Sequence, residues 1–217
     1  AWMTSASALA VAATAPLLGR FADGQGAVRT CLAIATAIGA LATAGLWFVE
    51  PDISFAMLAL GLSAVSIFAM EISFVFYNAM LPSVAREDEF GRASGLAWGL
   101  GYAGAIVALV IVLLLFVLPD HPAFGVSTEG AGHIRITMCF AALWLCLFAV
   151  PLFIFVPAPP ATRSSAPFLA SLKDSLRIAM TIPGLPRFLL ARMLFADGLV
   201  TLFAFGGIYA ATVFGFS

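Results

Sequence analysis

Apolar residues run almost unbroken through six stretches of this chain, at positions 2–18, 30–49, 53–81, 94–118, 134–156 and 188–216. Short segments rich in Gly, Pro and charge separate them. Neither the alternation of a half-buried strand nor the one-sided stripe of a surface helix accounts for such runs. A hydrocarbon layer about 30 Å thick takes roughly 20 apolar residues in helical form, and each stretch is of that order. A helix satisfies its own backbone in lipid, so the pattern predicts an all-α, polytopic transmembrane helix bundle of about six spans.

Composition agrees: 63% of the 217 residues are hydrophobic and 10% charged, against about half and about a quarter in soluble domains. A net charge of -1 with no long block of like charge gives nucleic acid nothing to bind. Cys31, Cys139 and Cys146 are odd in number and lie within apolar runs, which points to buried thiols rather than disulfides or metal ligands. The first residues lack an initiating Met and a basic leader, and both ends fall in apolar sequence. Further sequence on each side is therefore expected.

Loop charge gives an orientation. The loops carry in turn Arg20 and Arg29; no base; Arg86 and Arg92; no base, with Arg135 just inside the next span; and Arg163, Lys173, Arg177 and Arg187. Lys and Arg collect on the cytoplasmic side, so the first, third and fifth loops face the cytoplasm and residue 1 the opposite side. The expected location is a bacterial cytoplasmic (inner) membrane. The fifth loop is Pro-rich and leads into a stripe of Phe168, Leu172, Leu176 and Met180, with Lys173, Asp174 and Arg177 off it. That spacing predicts a helix lying in the interface plane. The expected organisation is most of one half-bundle in 1–157, a cytoplasmic linker in 158–187 and the first span of a second half-bundle in 188–217.

The first cytoplasmic loop reads Gly19-Arg20-Phe21-Ala22-Asp23-Gly24-Gln25-Gly26-Ala27-Val28-Arg29. Its glycines suit a tight helix-to-helix turn. A carboxylate after the end of a helix opposes the local dipole, so Asp23 is expected to find its partner elsewhere. Gly19, Asp23, Gly26 and Arg29 resemble the signature between the second and third helices of the major facilitator superfamily, although Gly24, Ala27 and Val28 stand where that family usually has bases. The resemblance implies a major facilitator fold and a conformational latch at these four residues. FVFYNAMLPSVA, GRASGLAWGLGYAGA and FLLARMLFADGLVTLFAFGGIYAATVFG are similar to the vacuole-effluxer-like branch. This implies that the six spans are helices two to seven of twelve and that the partners are lipid, a small solute, protons and the remainder of the transporter. Yeast members of the branch are associated with amino-acid export.

An ionisable group within a bilayer costs about 2.5 to 3.5 kcal/mol on insertion scales, so each needs a partner or a wet cavity. Glu71 and Asn78, seven apart, share a helix face and are candidates for the cavity or for proton coupling. Packing alone is the competing role for Glu71, and satisfying the helix end the competing role for Asn78. Asp197 and Arg192, five apart, point in different directions, Asp197 being the deeper candidate and Arg192 able to snorkel. Gly99-Leu100-Gly101-Tyr102-Ala103-Gly104 spells a dinucleotide fingerprint, but no strand precedes it. Gly95, Gly99, Gly101 and Gly104 instead predict a seam for close helix approach. Trp98 and Tyr102 share one face, towards either a cavity or lipid.

His121 and His133, with Asp120 and Glu129, lie in a solvated loop too open to specify a metal, and no cofactor is expected. The apolar runs hold no HExxH, GxSxG or Walker A. These features favour a secondary transporter over a channel or receptor, and over an intramembrane enzyme.

Overall fold

A computed structural model describes residues 2–119, 121–161 and 168–214. Helix α1 spans Trp2–Gln25, α2 Val28–Gly45, α3 Ala56–Ala79, α4 Phe90–Val112 and α5 Gly132–Phe155. A 14-residue helix α6, Phe168–Thr181, and a 30-residue helix α7, Leu185–Phe214, follow. No strand occurs among the described residues. The chain divides into two compact units, Ala1–Ser164 and Ser165–Ser217.

The helices follow the apolar runs, with revised ends. Helix α1 continues past the expected boundary at Leu18 to Gln25, which places Gly19 and Asp23 inside it. Helix α2 passes into a short 3-10 turn, Leu46–Phe48. Helix α4 begins after Glu87, Asp88 and Glu89, whose charges suit a helix N-terminus, and ends in a π turn, Leu113–Val117. Among the described residues, four helical segments are long and apolar enough to cross a membrane: Val28–Phe48, Ile53–Ala79, Glu87–Val117 and Glu129–Phe155. Lys173–Thr181 and Leu185–Leu202 form a pair bent by 105° that would make a fifth. The turn between α6 and α7 carries Gly184 at φ 83°, where TIPGLP predicted a break.

The first unit is built around α2 and α3. A buried apolar cluster, Ala22, Val28, Leu32, Ala35, Ile72, Phe76 and Met80, joins the end of α1, the start of α2 and the last turns of α3. Large apolar side chains cover the exterior, with Leu41 72% exposed and Phe155 78%. Water would not tolerate such a surface; lipid does.

Close approach of α2 and α3 depends on small residues. A Cβ added to Gly39 would lie 2.9 Å from Met70 Sδ, and one on Gly45 would lie 3.3 Å from Leu62 Cδ2. Thr43 Oγ1 accompanies them, 2.9 Å from the Gly39 carbonyl and 2.8 Å from Ser66 Oγ on α3. Interhelical hydrogen bonds of this kind contribute about 0.6 kcal/mol in a membrane protein. Gly39→Ala requires only the flexible Met70 side chain to yield, so its cost is expected to be small. Gly39→Leu is expected to push α2 and α3 apart and destabilise by about 1–3 kcal/mol, seen as a lower melting temperature in detergent.

The glycine seam expected on α4 has no such neighbour. A Cβ at Gly95, Gly99, Gly101 or Gly104 meets nothing within 4 Å. The seam is not filled by any described helix, because α4 stands away from α3 and α5 over most of its length.

Candidate functional site

The turn between α1 and α2 is a complete Schellman motif. The amide of Ala27 donates to the Ala22 carbonyl at 2.8 Å and that of Gly26 to the Asp23 carbonyl at 3.3 Å. Gly26 takes φ 64°, the left-handed value that the motif requires, and a Cβ there would also come within 3.2 Å of Ala161 Cβ. Ala22 is fully buried beneath the turn. Gly24 lies within α1 and Gly19 has open space around it, so Gly26 alone supplies the conformational freedom.

Fixing the turn fixes its charges. Asp23 is held in the last turn of α1, exposed, where a carboxylate faces the negative end of its own helix. Its carboxylate makes no hydrogen bond or ion pair among the described residues. Arg29, in the first turn of α2, is also at the wrong pole of its own helix, but it has a partner. Its Nη2 donates to the carbonyl of Phe153, near the end of α5. That carbonyl belongs to the last four of the helix, which lack intrahelical donors, and Pro157 stands where the next amide would be. Arg29 therefore caps α5, a role that spacing in the loop did not reveal.

At the opposite end of the same two helices stands Arg135, in the first turn of α5. Its Nε donates to the Trp47 carbonyl at 2.7 Å, and its Nη1 lies 3.4 Å from both Glu50 Oε1 and the Gly130 carbonyl. The guanidinium sits 5.0 Å above the Trp47 ring, a cation–π arrangement. The loop sequence places this arginine just inside a span and assigns it no role. Nearby, Asp52 accepts hydrogen bonds from the Ser54 hydroxyl and amide, which hold its carboxyl below the usual carboxylate range.

Between α2, α3, α4 and α5 lies an open groove of about 540 Å³. Phe74, Trp98 and Tyr102 form a stacked wall, with ring centroids 6.0 and 5.8 Å apart, and Trp144 and Phe148 face it from α5 at 4.7 Å from each other. Trp98 and Tyr102 thus face this groove. Its polar lining consists of Thr36, Ser73 and the aromatic N–H and O–H groups, with no charged side chain.

Glu71 and Asn78 are exposed on α3, turned away from the buried face of Ile72, Phe76 and Met80. Neither makes a side-chain hydrogen bond among the described residues. Arg192 and Asp197 are exposed on α7 in the second unit, without described partners. Within neither unit do the two candidates share a hydrogen bond, and Glu71 and Asn78 do not line the groove. Among the described residues no three His, Cys, Asp or Glu side chains cluster closely enough to hold a metal, and Asp120 lies outside those residues.

A family model described as vacuole effluxer Atg22 like matches residues 1–217. The chain is 27% identical over 146 residues to an uncharacterized MFS-type transporter, YxiO, of Bacillus subtilis (strain 168). The match takes in 67% of this chain and 33% of that relative, so the chain spans well under two thirds of the relative's length. No solved structure matches. With membrane-length helices, the Gly19-to-Arg29 turn and a family match along its whole length, the chain belongs to the vacuole effluxer Atg22-like family of integral, multi-pass membrane proteins.

Proposed function

We propose that this chain is part of a secondary transporter of small solutes that works by alternating access. Residues 1–157 then supply most of one half-bundle, 158–187 a cytoplasmic linker and 188–217 the first span of the other. The observation that carries the reading is Asp23. A rigid Schellman turn holds its unpartnered carboxylate outward, at the helix end least suited to an anion. Such a placement suits a latch whose partner lies on another part of the protein and is met in one access state only. Glu71 and Asp197 are the candidate proton-coupling groups, each with Asn78 or Arg192 on the same helix. Efflux is the candidate activity by the family's description as a vacuole effluxer, and amino acids are the candidate substrates that the resemblance to that branch implies. The uncharged aromatic groove, with α4 held apart on its far side, suits a further apolar helix of the same protein better than a charged solute.

The test uses the full-length protein in liposomes with labelled amino acids and an imposed pH gradient. Asp23→Asn is expected to lower the initial rate of uptake, and Glu71→Gln to remove its dependence on the gradient. No uptake of any screened solute by the wild-type protein would overturn the transporter reading. Unaltered proton dependence in Glu71→Gln would remove Glu71 from the mechanism.

A further inference from the structure

Helices α2 and α5 run antiparallel, and their ends are joined in a reciprocal way. Arg29, second residue of α2, donates to the Phe153 carbonyl at the end of α5. Arg135, fourth residue of α5, donates to the Trp47 carbonyl in the turn that closes α2. Each arginine occupies the first turn of its own helix, where the dipole disfavours a cation, and is directed at the terminal carbonyls of the other, where it is favoured. One such placement alone would mean little; two, at opposite ends of one helix pair, form a matched device.

We infer that Arg29 and Arg135 are paired positioning residues that lock α2 and α5 into a single rigid body, with Trp47 and Glu50 completing the second clamp. Chemistry distinguishes the two ends. The Arg29 clamp rests on a backbone carbonyl that no amide serves. The Arg135 clamp adds the Glu50 carboxylate at 3.4 Å and the Trp47 ring. Arg135 is the more enclosed of that ion pair, its side chain 18% exposed against 55% for Glu50. Between the clamps, Cys139 Sγ lies 3.9 Å from the Ala44 carbonyl, so the pair is also in contact along its length near the Arg135 end. The Asp23 turn adjoins the first clamp, so a rigid α2–α5 pair sets the position from which Asp23 reaches outward. On the transporter reading above, the pair stays together through the cycle and the moving boundary lies elsewhere.

The experiment uses the full-length protein with Cys31→Ala and Cys146→Ala, and with the Ala44→Cys thiol joined to Cys139 by a short, reducible bis-methanethiosulfonate. Arg29→Gln and Arg135→Gln are each expected to lower the unlinked melting temperature by about 2–3 °C. Linking positions 44 and 139 is expected to recover the Arg135→Gln loss, which lies at the same end, and to leave the Arg29→Gln loss. Uptake by the linked protein is expected to match the unlinked one. Uptake lost on linking and regained on reduction would show that the helices must separate, and would overturn the inference. Melting unchanged by Arg135→Gln, or a reactive Ala44→Cys thiol that fails to link, would overturn it equally. Absence of uptake with or without the link would overturn the transporter reading, while the melting comparison still decides the helix pair.

Discussion

Arg29→Gln is expected to destabilise the protein by about 1.5–3 kcal/mol, the range for a hydrogen bond to a charged group. The bond is charge-assisted, and its acceptor is the Phe153 carbonyl at the terminal pole of α5. In water the freed carbonyl would be solvated. Here Pro157 offers no amide, and the half-buried neighbours Leu152, Phe153 and Val156 pack against the apolar cluster of Leu32, Ile72 and Phe76. Glutamine is shorter, neutral and less able to hold that carbonyl at the same reach. Arg29→Lys keeps the charge but loses the planar fork and should fall between the two. Thermal unfolding of the full-length protein in detergent gives the comparison. A Gln variant as stable as wild type would show that α5 does not depend on this cap. The same substitution removes the charge matched to the superfamily signature, so stability and uptake together separate a cap from a latch. A pure cap loses stability, and a variant that melts normally but does not transport has lost the latch.

Much of this architecture was legible because membrane helices announce themselves by length and hydropathy. The runs at 30–49 and 134–156 became α2 and α5 with ends shifted by few residues, since lipid leaves the backbone no alternative to the helix. The turn at Gly26 was legible too, as a glycine followed by a second helix. Less legible was how far α1 continues, because Gly19, Arg20 and Asp23 look like the end of a span although the helix carries them onward to Gln25. The two arginine caps were hidden for a physical reason. Their acceptors are backbone carbonyls, 124 positions from Arg29 and 88 from Arg135, and every residue has a carbonyl. One signal was present: Pro157 removes the donor for the Phe153 carbonyl and marks it as needing a partner. The glycine spacing on α4 meets no neighbour among the described residues. A small-residue pattern permits close approach but does not supply the neighbour, whereas Gly39 and Gly45, with no such spacing, meet Met70 and Leu62.

Gly132→Ala is expected to be among the most damaging single-methyl additions in the chain. Gly132 is buried at the start of α5, and a Cβ there would stand 2.5 Å from the Ser127 carbonyl oxygen and 3.7 Å from Val126 Cγ1. At Gly39 the obstacle is the end of a flexible thioether; at Gly132 it is backbone. The loop has little freedom to withdraw. Ser127 Oγ accepts the Glu129 amide at 3.0 Å, and Phe124, Gly125, Gly130 and Ala131 all hold positive φ, two of them without being glycine. Each such non-glycine residue already costs about 1–2 kcal/mol, so the loop has no relaxed alternative close by. Moving it also carries the Gly130 carbonyl away from Arg135 Nη1, loosening the clamp on α2. Overpacking of this kind destabilises by about 1–3 kcal/mol, and disturbing Arg135 adds to it. Gly125→Ala is the control, because it separates backbone strain from collision. Gly125 has φ 66° but an added Cβ meets nothing within 4 Å, whereas Gly132 has a helical φ of -55° and no room. Both variants should lose stability, Gly125→Ala through strain and Gly132→Ala through collision, with Gly132→Ala melting at the lower temperature. A Gly132→Ala protein that melts with the wild type would mean that the loop yields to the added methyl without cost, and that Arg135 does not depend on its course.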